Sequence, residues 1–204
     1  MFVSFEGLDG SGKTTQARLL AEHLKRERRE VVATREPGGT TLGERVRELL
    51  LAGDEMSPWA EAALFAAARA ELVERVIRPA LRRSADVVCD RYLDSSLAYQ
   101  GIARGLGVDA VLDLNREAIG GLLPDRTFVL LVRPDEAARR IGSSSRLDRI
   151  EDAGGEFRRQ VDRAYRQLVA RFPERLVALD GSLPPDELAR RVRAEVSARR
   201  ERTP

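Results

Sequence analysis

The sequence predicts an α/β fold in which a parallel sheet of about five strands is flanked by helices. Short runs rich in valine and leucine alternate with helix-length segments, and a phosphate-loop pattern follows the first run. The predicted strands are MFVSFE (1–6), EVVATR (30–35), DVVCDR (86–91), TFVLLVR (127–133) and RLVALDG (175–181). The helical patterns cover 13–28, 41–52, 58–82, 108–121, 134–142, 155–171 and 185–202.

The first predicted strand leads into a phosphate loop. The loop comprises Gly7, Leu8, Asp9, Gly10, Ser11, Gly12, Lys13 and Thr14. Its glycines let successive backbone N–H groups point at phosphates, and the helix that begins near Lys13 adds the positive end of its dipole. We expect Lys13 to reach the β- and γ-phosphates and the Thr14 hydroxyl to ligate Mg²⁺. A loop between a strand and a helix favours nucleotide binding over a structural glycine turn, and predicts a P-loop NTPase fold.

The next two segments have ordinary structural explanations when taken alone. TREPGGT (34–40) follows the second strand, and its Pro and Gly residues are typical of a rigid turn. The long helix that follows is rich in alanine, which allows close helix approach. Phe65 and Arg69 lie four residues apart and therefore share a face. By itself, Phe65 is predicted to be a core residue.

Asp90 ends the third predicted strand, and two interpretations of it stay open. A carboxylate at this edge of the sheet can hold Mg²⁺ directly or through water. It can also cap a helix or pair with Arg91, which follows it. Arg91 itself lies at the carboxyl edge of the sheet, where open α/β folds bind ligands, so a bidentate contact with a phosphate is expected there.

The regular pattern is interrupted in RRIGSSSRLDRIEDAGGEF (139–157). Gly142 and three serines break a charged helix, and Gly154-Gly155 follows shortly after. An ordinary flexible connection explains this composition. A short lid of about 139–155, with soft ends and arginines in it, explains it equally well, because phosphoryl transfer needs water to be excluded.

Composition limits the classes of function. At 204 residues the chain fits one domain, taken as residues 1–204. A single cysteine, Cys89, and a single histidine, His23, exclude an internal disulfide and disfavour zinc sites or histidine relays. The 35 basic and 33 acidic residues are interleaved and aromatics are few, so we expect no nucleic-acid binding. No signal peptide and no membrane span are predicted, and the expected location is cytoplasmic.

Several segments together resemble the thymidylate kinases, which phosphorylate dTMP with ATP. They are FEGLDGSGKTT, TREPGGT, LFAAARAE, DRYLDSSLAYQG, LDRIE and LDGSLPPDEL, in family order over nearly the whole chain. The phosphate loop is common to many NTPases, whereas REPGG and DRYLDSSLAYQG are much more specific. The resemblance implies a nucleoside-monophosphate kinase that uses ATP and Mg²⁺, with dTMP as the acceptor. It also implies a homodimer, with the 58–82 helix a candidate part of the interface.

The resemblance assigns residues to the thymine base and the sugar. Phe65 is implied to stack on the base, where an aromatic face contributes about 1–3 kcal/mol. Arg69 is implied to donate to a thymine carbonyl, and Ser96 to lie near the polar edge of the base. Tyr99 is implied to lie against the sugar and to favour the 2′-deoxy form, with Gln100 nearby.

A second set of residues is implied to serve the phosphates. Arg47 and Arg91 would hold the acceptor phosphate, and Glu36 would help to arrange that pocket. Asp9 occupies the acidic position of the loop that meets the sugar 3′-hydroxyl. The closing LDGSLPP segment would hold adenine, largely through its backbone. The implied reaction is an in-line attack of a dTMP oxygen on the γ-phosphorus, catalysed by positioning and electrostatics.

The sequence departs from the family pattern in the position of its catalytic arginine. The family places this arginine either in the phosphate loop or in the lid, and here the variable loop position is Gly10. The lid should therefore supply it. Gly142 and three serines stand where relatives often carry arginines, so we favour Arg149, or else Arg146. The aspartate that relatives often have near Leu131 is also missing, which suggests a changed supporting contact.

Two other functions remain open from the sequence. Another nucleoside-monophosphate kinase, or a deoxynucleoside kinase, would use the same fold. A catalytically weak ATP-binding module or switch belongs to a different class. A GTPase switch needs an Asn-Lys-x-Asp motif, which is absent because the only lysines are Lys13 and Lys25.

Overall fold

The computed structural model describes residues 1–52, 54–141 and 154–201. These residues form a five-stranded parallel sheet in the order β2-β3-β1-β4-β5. The strands are β1 (Phe2–Glu6), β2 (Val31–Arg35), β3 (Asp86–Asp90), β4 (Arg126–Leu131) and β5 (Leu176–Asp180). Four of them lie within the strand-like runs of the sequence, and β4 begins one residue before its run, at Arg126. The predicted five-stranded sheet is therefore confirmed.

Helices connect successive strands, as a parallel sheet requires. They are α1 (Lys13–Arg26), α2 (Thr41–Ala52), α3 (Pro58–Leu72), α4 (Arg78–Arg82), α5 (Leu93–Ser96), α6 (Val108–Ile119), α7 (Pro134–Ile141), α8 (Gly154–Arg171) and α9 (Pro185–Glu201). The predicted 58–82 helix contains a π-helical segment, Val73–Ile77, between α3 and α4. A second π-helical segment, Leu97–Ala103, continues α5. The helical 93–103 region was not predicted.

The strand register brings several chain segments to one edge of the sheet. Phe5 of β1 is paired with Asp90 of β3, and Arg35 of β2 is paired with the same residue. The carboxyl ends of β1, β2 and β3 therefore lie side by side. The chain crosses from one side of β1 to the other between β3 and β4, which makes a crevice beyond the end of β1.

The sheet is covered on both faces, and β1 is completely buried. Val3 and Phe5 belong to a hydrophobic cluster with α1 and α9, whereas Phe2 belongs to the cluster on the opposite face, which includes α8 residues. Because side chains alternate along a strand, Ser4 and Glu6 point to the same side as Phe2. The strand thus directs a carboxylate toward α8. Among the described residues, no helix is both long and apolar enough to cross a bilayer.

Candidate active site

The segment between β1 and α1 has the geometry of a phosphate loop. Gly10 and Gly12 adopt left-handed backbone conformations, with φ of 79° and 97°. The Lys13 ammonium curls over the loop and donates to the Leu8 carbonyl at 2.8 Å, and it lies 3.2 Å from an Asp9 oxygen. Burial lowers the pKa of Lys13, and the nearby Arg91 charge lowers it further, while Asp9 raises it. The predicted loop thus lies between β1 and α1, and the reach of Lys13 to nucleotide phosphates stays a prediction.

Gly10 is packed against helix α7. A Cβ atom at this position would collide with the Ala137 carbonyl and approach the Ile141 side chain. Since its φ is also in the left-handed region, any residue with a side chain is unfavourable there. The loop therefore has no room for an arginine at its variable position.

A cavity of about 580 Å³ opens beside the loop on the β4–β5 side of the sheet. It is bordered by residues 9–16, Arg140, residues 181–185 and Leu188. Arg140 of α7 donates to the Gly181 carbonyl at 2.8 Å, and the Gln16 amide of α1 donates to the Pro185 carbonyl at 2.9 Å. Two side chains thus fix the 181–185 segment relative to the phosphate loop. We call this space the donor cavity.

Thr14 and Asp90, the two predicted metal ligands, are in contact. The Thr14 hydroxyl donates to Asp90 Oδ2 at 2.5 Å. The other carboxylate oxygen, Oδ1, is buried and accepts no hydrogen bond from the described residues. Hydroxyl and carboxylate oxygens are the ligands that Mg²⁺ prefers, and an unpaired buried oxygen is a suitable donor. The pair therefore fits a Mg²⁺ ion.

A second cavity of about 180 Å³ lies on the β2–β3 side of the loop. We call it the acceptor cavity. Six predicted substrate-binding residues and one loop residue border it: Glu36, Arg47, Phe65, Arg91, Tyr99, Gln100 and Asp9. The other bordering residues, Pro37, Leu51 and Ser95, were not predicted. Residues from the phosphate loop, the turn after β2, α2, α3 and the 91–100 region therefore meet in one space.

Two of the predicted substrate-binding residues, Arg69 and Ser96, lie in a buried layer and are not among the residues that border the acceptor cavity. Arg69 donates to Glu36 at 2.8 Å and to the Ser96 hydroxyl at 3.1 Å. It also donates to Asn115 of α6 at 2.5 Å. Their predicted contacts with the thymine base stay predictions.

The buried charges in this layer affect each other. Burial raises the pKa of Glu36 to about 7, against the lowering influence of Arg69. Burial alone would lower the pKa of Arg69, but the Glu36 charge and hydrogen bond outweigh it and leave that pKa raised. The pair is thus tied together, with Glu36 at the wall of the acceptor cavity and Arg69 behind it.

Arg91 lies at the junction of the loop and the acceptor cavity. Its Nη2 donates to Asp9 Oδ1 at 2.6 Å, and its guanidinium carbon lies 5.4 Å from the centre of the Tyr99 ring. Burial lowers the pKa of Arg91, yet Asp9 and the neighbouring groups raise it well above its ordinary value. Arg91 is therefore a permanent cation between the two cavities.

Some residues around Arg91 were missed by sequence reasoning. Its Nη1 donates to the Ser95 hydroxyl and to Tyr165 of α8, at 3.1 and 3.3 Å. Both hydroxyls also contact Glu6. Glu6 was detectable as the one charged residue in an apolar strand. Tyr165 gave no such signal, because an aromatic residue within an amphipathic helix is ordinary.

The remaining predicted catalytic residues cannot be placed in this geometry. Arg146 and Arg149 lie outside the described residues, as do the central residues of the predicted lid. Helix α7 ends at Ile141 before them, and α8 begins at Gly154 after them. Their assignment stays a prediction from sequence.

Comparison with known proteins gives one consistent result. The family model described as thymidylate kinase matches residues 5–192. The chain is 47% identical over 182 residues to a thymidylate kinase of Exiguobacterium sp., covering 88% of this chain and 86% of that protein. It is 48% identical over 200 residues to a thymidylate kinase of Synechococcus sp., covering 98% of this chain and 96% of that protein. The crystal structure of thymidylate kinase from Ehrlichia chaffeensis matches with a TM-score of 0.74 and 36% identity, over 88% of this chain and 91% of that chain.

Proposed function

This chain belongs to the thymidylate kinase family, and we propose that it transfers the γ-phosphoryl group of ATP to dTMP, giving dTDP and ADP. It is an enzyme with a P-loop NTPase fold. The observation that carries this function is the contact between Asp9 and Arg91 at 2.6 Å, where the donor and acceptor cavities meet. Two nucleotides bound on either side of this contact would have their phosphates facing each other.

The donor side is suited to a nucleoside triphosphate. The loop N–H groups and the Lys13 ammonium supply positive charge for the β- and γ-phosphates. Adenine is assigned to the donor cavity next to residues 181–185, which Arg140 and Gln16 hold in place. Catalysis then depends on fixed dipoles and cations that stabilise the charge spread over the transferring group.

The acceptor side is suited to a pyrimidine monophosphate. Phe65 provides an aromatic face for the base, while Arg47 and Arg91 provide cations for the phosphate. Arg47 Nη1 donates to the Pro37 carbonyl at 3.0 Å, which holds its guanidinium at the cavity. We assign the sugar to Tyr99 and Asp9, and the polar edge of the base to Gln100. Arg69 and Ser96 would reach the base after a local shift of their side chains. Alternatively, they would support Glu36 from the buried layer behind the cavity wall.

Mg²⁺ is assigned to Thr14 and Asp90. The described residues contain no group of three or more His, Cys, Asp or Glu side chains suited to a metal, so the ion would take most of its ligands from water and phosphate oxygens. Such an ion supplies positive charge to the β- and γ-phosphates during transfer. The chain contributes the hydroxyl, the carboxylate and their fixed spacing.

The catalytic arginine is assigned to the lid. The clash that a side chain at Gly10 would make with α7 supports this, because it removes the alternative position in the loop. We favour Arg149, and Arg146 is the alternative. An arginine that stabilises the transferring phosphoryl group contributes about 10³–10⁵ in rate.

The test is ADP production by the purified protein with ATP and Mg²⁺, using dTMP, dUMP, dCMP, dGMP and thymidine as separate acceptors. We expect strong turnover with dTMP and little with the others. Arg149→Ala and Arg146→Ala are assayed in parallel, and one of them should lose at least about 10³ in kcat. Tight ATP binding without dTMP-dependent turnover would contradict the kinase and favour an ATP-binding module.

We also propose that two copies associate through α2 and α3. Trp59 is 50% exposed, Leu49 is 56% exposed and Leu42 is 46% exposed, and α2 packs beside α3. The outer side of α3 presents only small side chains near Trp59, since Ala60, Ala63 and Ala67 are exposed at helical spacing. An exposed face of apolar side chains suits contact with a second copy.

Sedimentation of the Ala63→Glu variant tests the dimer. We expect this buried charge to convert the protein to folded monomers. Ala194→Glu, at an exposed alanine of α9, is the matched control and should leave the dimer intact. A wild-type monomer, or equal behaviour of both variants, would contradict the proposed interface.

The domain and cellular assignments follow from the same function. All three described lengths of chain contribute strands to one sheet, which supports a single kinase domain over residues 1–204. A cytoplasmic location is proposed because the enzyme's donor, ATP, is abundant there.

A further inference from the structure

Arg91 is held in an unfavourable backbone conformation. Its φ is 68°, in the left-handed region that residues with a Cβ rarely adopt. Its backbone N–H nevertheless donates to the Phe5 carbonyl at 2.9 Å, which continues the pairing of β1 with β3. Such a conformation costs about 1–2 kcal/mol, so the surroundings of the side chain must favour it.

The guanidinium is held by groups from several elements. Nη2 contacts Asp9, as described above. Nη1 donates to the Gly7 carbonyl at 3.1 Å, to the Ser95 hydroxyl at 3.1 Å and to the Tyr165 hydroxyl at 3.3 Å. These two hydroxyls come from α5 and from α8, two helices that are distant in sequence.

Glu6 lies behind both hydroxyls. Its Oε2 accepts from Ser95 Oγ at 2.5 Å and from Tyr165 Oη at 2.9 Å. A hydroxyl has one hydrogen, so a hydroxyl that donates to Glu6 must present its lone pairs to any other partner. The carboxylate therefore orients both hydroxyls as acceptors toward Arg91.

We propose that Glu6, acting through the hydroxyls of Ser95 and Tyr165, is a positioning residue that fixes the direction of Arg91 and thereby the affinity for the acceptor phosphate. This inference rests on the proposed function, in which Arg91 holds that phosphate. Glu6 does not border the acceptor cavity itself. Its effect on the substrate passes through two hydrogen bonds in series.

The charges near Glu6 fit this arrangement. Burial raises the pKa of Glu6 to about 7, and Asp94 raises it as well, while Arg91 and the hydrogen bonds from Ser95 and Tyr92 lower it. The assays below are therefore run at pH 8, where the carboxylate is ionised. The two hydroxyls link the Arg91 cation to this carboxylate through hydrogen bonds.

Glu6 also has a structural role that the test must separate. Its Oε1 accepts from the Tyr92 N–H at 2.8 Å and from the Ser95 N–H at 3.2 Å, which stabilises the turn after β3. Substitution of a purely structural residue would lower stability and change the KM for both substrates equally. Substitution of a residue that positions Arg91 would raise the KM for dTMP and leave the KM for ATP unchanged.

The experiment compares Glu6→Gln, Tyr165→Phe and the double variant. The glutamine keeps the shape and the acceptor for the turn. Its amide nitrogen, however, donates to both hydroxyls and makes them turn their hydrogens toward Arg91. The phenylalanine removes one hydroxyl and keeps the ring. We expect each single variant to raise the KM for dTMP about 3- to 10-fold, with the KM for ATP changed less than about twofold.

The double variant should be no worse than the more damaging single variant, because both changes interrupt one pathway. Tyr92→Phe is the matched control: the Tyr92 hydroxyl is also buried, but it donates to the Leu122 carbonyl at 3.0 Å, away from Glu6. It should leave the KM for dTMP unchanged. If Glu6→Gln does not fold, Tyr165→Phe against Tyr92→Phe decides the question, with Ser95→Ala as the second hydroxyl variant.

Three results would overturn the inference: an unchanged KM for dTMP in both single variants, equal increases for dTMP and ATP, or single effects that multiply. Failure of the proposed function is distinguishable, because the wild-type protein would then not phosphorylate dTMP at all. In that case calorimetric binding of dTMP to the same variants measures the Arg91 contact without turnover. An affinity for dTMP that is equal in wild type and variants would again overturn it.

Discussion

The Arg69 guanidinium and the Glu36 carboxylate meet at 2.6 Å, with their side chains 1% and 4% exposed. The pair joins α3 to the turn after β2, which are separate segments of the acceptor cavity wall. Asn115 of α6 and the Tyr92 carbonyl accept further hydrogen bonds from the same guanidinium. A buried charge satisfied in this way fixes the positions of neighbouring elements more than it adds net stability.

Removing one member of this pair should be strongly destabilising. We expect Arg69→Met to lower the free energy of unfolding by about 3–5 kcal/mol at pH 8, because it leaves the Glu36 charge buried and unpaired. The loss should be smaller at pH 5, where Glu36, with a pKa raised to about 7, binds a proton. Urea unfolding measures both values. The Glu36→Gln/Arg69→Met double variant should recover part of the loss, and equal losses in single and double variants would contradict this.

Stability should also depend on pH through Glu6. Its pKa is raised from 4.5 to about 7, so the folded state binds more protons than the unfolded state between these values. The contribution of Glu6 to the free energy of unfolding therefore falls as pH rises from about 4.5 to about 7. This contribution is lost in Glu6→Gln, which keeps only the fall that Glu36 causes over the same range. The two proteins should diverge by on the order of 3 kcal/mol over this range.

Urea unfolding at pH 4.5, 6 and 8 measures the divergence. Glu74→Gln, which removes an exposed carboxylate from the π-helical segment after α3, controls for the loss of one negative charge. Parallel pH curves for wild type and Glu6→Gln would show that the raised pKa of Glu6 makes no contribution.

The packing of Gly10 against α7 can be tested by comparing two alanine variants, Gly10→Ala and Gly105→Ala. Gly10 and Gly105 have similar φ values, 79° and 77°, but a Cβ on Gly105 would meet nothing within 4 Å. Both alanine variants should lose about 1–2 kcal/mol from the left-handed backbone. Gly10→Ala should lose about 1–3 kcal/mol more, because its Cβ collides with the Ala137 carbonyl. Thermal unfolding measures both losses. Equal losses in the two variants would contradict the prediction, because they would show that α7 moves aside at no cost.

The Thr14 hydroxyl should determine the Mg²⁺ requirement. Thr14→Val keeps the shape of the side chain but removes the oxygen, and it should raise the Mg²⁺ concentration for half-maximal activity about 10- to 100-fold. Thr14→Ser keeps the oxygen and should remain close to wild type. The measurement is ADP production against Mg²⁺ concentration at saturating ATP and dTMP. Similar Mg²⁺ curves for valine and serine would remove Thr14 from the metal site.

Local patterns were sufficient for the sheet and the phosphate loop. Apolar runs predicted every strand, and the spacing of glycines before Lys13 predicted the loop. They were not sufficient for the helical 93–103 region, whose Asp and Ser residues favour turns when taken alone. In the structure these polar side chains are buried and bonded: Asp94 pairs with Arg175 at 2.5 Å, and Ser95 with Glu6.

The interior of the acceptor cavity wall was equally hard to predict. Phe65 taken alone suggested a core residue, and only the family resemblance suggested a cavity role. The structure has Phe65 at the cavity, whereas Arg69, which shares its helix face by spacing, is buried behind it. Arg69 is drawn away from the cavity by partners distant in sequence, such as Asn115. Helical spacing does not reveal such partners.

The two cavities draw on different parts of the chain, and this has a consequence for how the enzyme can change. Among the described residues, the acceptor cavity is bordered by Asp9 and residues between 36 and 100, and the donor cavity by residues 9–16, Arg140, residues 181–185 and Leu188. Asp9 alone belongs to both sets. The proposed nucleotide positions therefore predict that acceptor selectivity and donor selectivity can be altered almost independently, by mutation in the laboratory or over evolution. A substitution of Asp9 is the predicted exception, since this residue borders both cavities.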